Sequence, residues 1–284
     1  MNPDRKARRS RALDRGQAMH CLVLDGDHEF ARRYMRGAVH TEDMTPAEKG
    51  AETKKANMIA AKTGREALYS DDYDRIITAR KIIELNPDTA TAFRGGFSEV
   101  TVIWERDGIR LKARIDYLKP TGIGDLKGAD NIYDQPFDEV CLAAIRNYRY
   151  DMQAALYLEG RDMIEGYFSD GAVYGDHDHD LLRKVASQRG IGWQWVFFCQ
   201  GKGPPDAASF KMLHGNDMLE NAKLHVELAL ARYTRFRAEF GTDQWFLVSP
   251  VKNLTLGMMP PYWARLGADE TEELHVWNKQ RSDR

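Results

Sequence analysis

FSEVTVIWERDGIRLKARIDYLKPTGIGDLK, residues 97–127, is the stretch on which the fold turns. Residues 97–104 and 109–118 are rich in β-branched side chains and alternate with period two, which predicts two half-buried strands. Arg106-Asp107-Gly108 between them has the make-up of a hairpin turn. Pro120-Thr121-Gly122 is a second turn and leads into a short run, Ile123 to Lys127. Three consecutive antiparallel strands follow as the economical arrangement. On the second strand Arg110, Lys112, Arg114 and Asp116 share one face, while Leu111, Ala113, Ile115 and Tyr117 share the other, the core face.

Asp125 and Lys127 flank Leu126 and so project to one side of the third strand. Adjacent strands can bring Asp116 and Asp125 close together. Two converging carboxylates repel unless a cation joins them, and hard oxygen ligands suit Mg²⁺ or Mn²⁺. Lys127 beside such a centre can orient or help deprotonate an attacking water and neutralise developing charge. Arg110, Lys112 and Arg114 would suit a polyanion; the plainer alternative is a solvated charged face.

Outward from this hairpin, Ala18, Met19, Leu22 and Val23 recur at helical spacing and stop near Gly26. Residues 48–68 and 72–85 read as two polar helices, the second closed by Pro87. Downstream, one long helical stretch is expected from Asp138 to Phe168. Residues 169–190 read as a polar insertion, whose Asp176-His177-Asp178-His179-Asp180 run is taken as a solvated loop in preference to a metal site. Trp193 to Cys199 is a strongly apolar strand placed centrally in the sheet, followed by a turn at 201–205, a short strand near 208–213 and a long amphipathic helix over 216–240. The tail from Trp245 lacks periodicity. One compact domain over 16–284 behind a basic arm at 1–15 is the expected organisation.

The 284 residues carry 41 Lys+Arg against 43 Asp+Glu, a net charge of −2, which excludes a polybasic coat for nucleic acid. The first 15 residues hold six Lys/Arg against two Asp, so basic charge is local. With 43% hydrophobic residues the chain can bury a large core. No apolar run approaches the roughly 20 residues of a membrane span, so no membrane partner and a cytoplasmic setting are expected. Cys21, Cys141 and Cys199 are too scattered for a disulfide framework or a four-cysteine cluster.

The ordered set His20 (in Gly16-Gln17-Ala18-Met19-His20), Glu99, Asp116, Asp125-Leu126-Lys127 and Gln153-Ala154-Ala155-Leu156-Tyr157 resembles the PDDEXK nucleases, in particular their RecB-like branch. The local wording is closest to the exonuclease VIII, or RecE-like, nuclease domain. The resemblance implies an α/β fold with a central mixed sheet flanked by helices. It implies that Asp116, Asp125 and the Leu126 carbonyl bind a Mg²⁺ or Mn²⁺ ion, that His20 completes the shell or binds a second ion, and that Lys127 is the catalytic lysine. Gln153 and Tyr157 would face the site; Glu99 would serve the metal or merely pair with Arg114. Arg110, Lys112, Arg114 and Arg149 are the candidate DNA contacts. No iron–sulfur cluster is expected. The implied activity is 5′→3′ digestion of linear duplex ends, leaving 3′ overhangs for a single-strand annealing protein, by a homo-oligomer that in relatives is a ring. The alternatives are a RecB-like nuclease acting on single strands or flaps, and a degenerate nuclease fold kept as a binding module. The family pattern often has Thr or Ser where Gly128 follows the lysine here.

Overall fold

The computed structural model describes residues 10–200, 206–241 and 255. The 201–205 turn and the tail beyond 241, Thr255 apart, lie outside these, as do residues 1–9 of the basic arm. Seven elements come first: α1 (Arg11–His20), α2 (Asp27–Arg33), β1 (Tyr34–Arg36), α3 (Pro46–Lys62), β2 (Glu66–Leu68), α4 (Ser70–Leu85) and α5 (Pro87–Ala90). The central hairpins are β3 (Phe97–Arg106), β4 (Ile109–Lys119) and β5 (Gly122–Ala129). Then come α6 (Phe137–Tyr148), α7 (Tyr150–Asp162), α8 (Ile164–Ser169), α9 (His179–Ser187), β6 (Gly192–Cys199), β7 (Ala207–Met212) and α10 (Asp217–Phe240).

The main sheet runs β3-β4-β5-β6-β7. β5 and β6 are parallel and the other pairs antiparallel, so the expected mixed sheet is present. The hairpin turn has Asp107 and Gly108 both at positive φ (51° and 74°), the pairing that matches the twist of two-residue hairpins. One face of the sheet packs on α6 and α7 through Ile115, Cys141, Ile145, Ala154, Leu158 and Trp193. The other packs on α1, the turn that follows it and α4 through Met19, Leu22, Ile76, Ile83, Leu126 and Val196. β6 supplies both cores and is buried along nearly its whole length, as a central strand requires.

Several expectations need correction. The helix expected over 48–68 ends at Lys62, where Gly64 takes φ 65°; Glu66–Leu68 instead forms β2, paired in parallel with β1. Pro87 opens α5 and does not merely close α4, because a helix tolerates proline at its first position. The long helix over 138–168 is three helices, broken at Arg149 by a left-handed backbone (φ 54°, ψ 46°) and again at Met163. The 169–190 insertion contains α9: the 176–180 run is exposed as expected, but it is not all loop, because Asp178 accepts hydrogen bonds from the Asp180 and Leu181 amides as the N-cap of α9. Fully buried Arg161 donates to the Val185 carbonyl at 2.5 Å, tying α7 to the last turn of α9. Arg11 to Arg15 of the expected arm belong to α1.

The chain divides into two compact units, Met1–Ala231 and Arg232–Arg284. The described part of the second is Thr255 and the end of α10, where the Arg235 guanidinium lies over the Phe236 ring. All three cysteines are buried and unpaired, and burial pushes the Cys21 thiol up to about 11 and the Cys141 thiol up to about 12. No helix among the described residues is long and apolar enough to cross a membrane.

Candidate active site

Asp116 sits where two strand ladders fail. β3 and β4 pair from Arg106↔Ile109 to Val100↔Ile115 and again at Ser98↔Tyr117, but Glu99 and Asp116 between them do not. Glu99 has φ 55°, a conformation uncommon for a residue with a side chain. The core-facing positions change phase at this point, from Ala113 and Ile115 to Leu118, and from Phe97 to Val100. On its other side β4 pairs with β5 only as far as Tyr117↔Gly124. Continuing that register would set Asp116 against Asp125, so the strands part at the two acids. The Leu126 amide donates to Asp116 Oδ2 at 2.9 Å.

His20 is the last residue of α1, and the next turn, Cys21–Asp25, widens to a π-helix, a feature that recurs at functional sites. Its Nε2 is 3.0 Å from the Leu126 carbonyl. A carbonyl only accepts, so in this arrangement Nε2 carries a proton. Nδ1 lies 3.9 Å from Asp116 Oδ2 and 4.0 Å from Glu99 Oε1. α1 is anchored for this by buried Asp72 of α4, which accepts from Arg11 at 2.6 and 3.0 Å and from Arg15 at 3.4 Å.

Asp125 is 1% exposed. Lys127 Nζ stands 2.6 Å from its Oδ2, an ion pair without hydrogen-bond geometry, and Gln153 Nε2 is 3.5 Å from its Oδ1. Burial, with Asp116 adding to it, pushes the Asp125 carboxyl up to about 6 against the opposing pull of Lys127. Burial raises Asp116 as well, with Glu99 adding and Lys127 and the Leu126 amide opposing. Burial alone would depress Lys127; Asp125 and Asp116 outweigh it and hold the ammonium above the usual lysine value. His20 is lowered by burial and by Lys127. Both acids bind protons more readily than in water, so the site is short of positive charge.

Among the described residues no three of His, Cys, Asp and Glu are grouped so as to hold a metal ion. Asp125 is turned onto Lys127 and Asp116 onto the Leu126 amide. The donor set still fits a hard divalent cation. Asp125 Oδ2 is buried against Lys127, and a second carboxylate, a carbonyl and an imidazole complete a set of hard donors. The His20 imidazole and the Leu126 carbonyl, now hydrogen-bonded at 3.0 Å, would have to separate as donor and acceptor, Nε2 losing its proton, to serve such a cation together.

The remaining candidates divide. Gln153 reaches the site, whereas Tyr157, one turn on, packs edge-on against Trp193 with ring centroids 5.9 Å apart. Glu99 forms an ion pair with Arg114. Arg110 and Lys112 are exposed and alternate with the core residues Ala113 and Ile115, on the opposite side of β4. The phase change at Asp116 is why they do not continue into the site. Arg149 is held on Asp151.

Three features have little or no signature in the sequence. The Tyr150 ring lies 5.0 Å from Lys127 Nζ. Gln200 covers Gly128 so closely that a Cβ there would overlap its side-chain amide. Asp72 anchors α1. Only the aromatic beside Arg149, close ahead of Gln153, offered any signal.

A model of the PDDEXK-like domain of unknown function (DUF3799) matches residues 1–174. A solved structure of a candidate exonuclease from Eubacterium rectale is 16% identical, with a TM-score of 0.49, covering 88% of this chain and 80% of that one. No curated protein matches the chain.

Proposed function

This chain belongs to the family of PDDEXK-like domains of unknown function (DUF3799), and from that premise we propose that it is a divalent-metal-dependent DNA nuclease. The observation that carries this is the meeting of Asp116, Asp125 and Lys127 where β4 and β5 part, with His20 and the Leu126 carbonyl beside them. Asp116, Asp125, the Leu126 carbonyl and His20 would hold the cation. Bound Mg²⁺ or Mn²⁺ would polarise the scissile phosphate and offset the charge it develops.

The chain's own groups do the rest. Lys127, whose Nζ lies 2.6 Å from Asp125, stands where it can donate to the attacking water or to a phosphate oxygen. Gln153 steadies Asp125 from α7. Glu99 holds Arg114 at the rim, where a cation can meet the phosphate backbone. Asp72 fixes α1, and with it His20.

The finer reading is an exonuclease of the RecE-like kind, cutting linear duplex ends 5′→3′ and leaving 3′ overhangs for an annealing protein. What supports it is the order of motifs from Gly16-x-x-x-His20 to Gln153-x-x-x-Tyr157. A ring-shaped homo-oligomer belongs to the same proposal. The test is Mg²⁺-dependent digestion of 5′-labelled linear duplex and closed circular DNA by the wild type and by Asp125→Ala. Loss of linear duplex alone, abolished in Asp125→Ala, is expected. If the wild type leaves all DNA intact, the proposal fails; attack on circles would replace the exonuclease by an endonuclease.

A further inference from the structure

Resting on the nuclease reading, we propose that Tyr148 and Tyr150 form a stacking platform for an unpaired nucleobase of the strand being cut. α6 ends at Tyr148 and α7 begins at Tyr150. Arg149 between them is left-handed (φ 54°, ψ 46°), a strained state for a residue with a side chain. It is held there by Asp151, 7% exposed, which accepts from Arg149 Nε at 3.0 Å and from Nη2 at 2.9 Å. The reversal brings the two rings into a stack, 5.6 Å between centroids and 30° between planes.

The stack has a direction. Its inner end is continuous with the core, Tyr150 lying 6.4 Å from the Phe197 ring. On the way out it passes the catalytic centre, since the same Tyr150 ring is 5.0 Å from Lys127 Nζ. Its outer end, Tyr148, is 71% exposed. An aromatic ring left in water, aligned on a ring at the catalytic lysine, has little to contribute to the fold. Every base presents a π-face, so such a ring grips a single strand without regard to sequence and seats its phosphodiester beside the lysine. The strained Arg149 hinge sets the angle at which the ring is offered. The substrate class this assigns is DNA with an unpaired base at the cutting site, whether a frayed duplex end or a tail.

The probe is a single-stranded oligonucleotide with 2-aminopurine at its end, titrated with the full chain in Ca²⁺ in place of Mg²⁺. Wild type should quench the fluorophore on binding. Tyr148→Ala should lose the quench and bind roughly fivefold to a hundredfold more weakly, the range of one base–aromatic stack. Tyr148→Trp and Tyr148→Phe should keep both; because the ring is exposed, all three should fold. Unchanged binding and quenching in Tyr148→Ala, or no quench by the wild type, overturns the platform. The two readings separate cleanly. Quenching that needs Tyr148 in a protein that cuts no DNA would leave the platform and remove the nuclease. Cutting with quenching indifferent to Tyr148 would do the reverse.

Discussion

Glu99 stands opposite Asp116 at the one gap in the β3–β4 ladder, and the Glu99 backbone is left-handed there at φ 55°. Two like charges opposed across antiparallel strands are unfavourable, and the left-handed backbone adds on the order of 1 kcal/mol or more of strain. The fold tolerates both at the place where it also turns an acid toward His20. Glu99→Gly should therefore remove strain while forfeiting an ion pair with the largely exposed Arg114, which contributes little, and the 4.0 Å approach to His20 Nδ1. The melting temperature should hold or rise, and Mg²⁺-dependent cleavage should fall about tenfold or more. A clear drop in melting temperature with cleavage intact would mean that Glu99 is a structural residue.

The raised Asp125 makes a statement about pH. Its folded pKa of about 6 lies above the ordinary value of 3.8, so between those limits the folded state binds more protons than the unfolded one. Stability from this group therefore falls as pH rises through that window, by about 1.4 kcal/mol for each tenfold difference in proton affinity between the two states. Metal-free protein should melt higher at pH 5 than at pH 7.5 as far as Asp125 contributes. Mg²⁺ competes with that proton, so it should raise the melting temperature more at pH 7.5 than at pH 5, and Asp125→Asn should flatten the difference. Calorimetry across the two pH values, with and without Mg²⁺, checks the sign.

How much of this was legible beforehand depended on what each element needed from its neighbours. β3, β4 and β5 announce themselves because alternation, Asp107-Gly108 and Pro120 are all local signals. Asp116, Asp125 and Lys127 were legible through spacing, since period two fixes the side each takes. The breaks were not legible. Arg149 and Glu99 take glycine-like backbone angles without being glycine, and each is held by a partner, Asp151 or the gap facing Asp116, that local patterning cannot see. β1 and β2, three residues each, are too short to show a period. Tyr157 was expected at the site because Gln153-x-x-x-Tyr157 resembles a nuclease motif, and its ring packs on Trp193 of β6, a contact that a motif does not encode.

Gln200 lies over Gly128 and leaves no room there for a side chain. A Cβ at 128 would overlap Gln200 Nε2 and lie 2.6 Å from its Cγ, so the whole side chain would have to leave. Gly128→Ala should cost about 1–3 kcal/mol, the usual range for overpacking. Gln200→Ala in the same chain should return most of it, a coupling that a double-mutant cycle in urea would measure. Additive costs would mean the two side chains do not compete for this space.

Gln153 and Tyr157 sit one helical turn apart and should behave differently. Gln153 Nε2 approaches Asp125 Oδ1 at 3.5 Å, whereas the Tyr157 ring is spent on Trp193. Gln153→Ala removes a donor beside a buried carboxylate, so Asp125 should take its proton at still higher pH, and cleavage at neutral pH should fall by about tenfold or more. Extra Mg²⁺ should recover part of that loss, because cation and proton compete for the same oxygens. Tyr157→Phe keeps the ring and its edge-on contact, worth about 1 kcal/mol in such pairs, and deletes only the hydroxyl. Its cleavage should stay within about threefold of wild type. Steady-state cleavage against Mg²⁺ concentration for both variants settles which residue faces the metal: if Tyr157→Phe shows the metal-dependent loss and Gln153→Ala does not, the roles assigned to this turn of α7 are reversed.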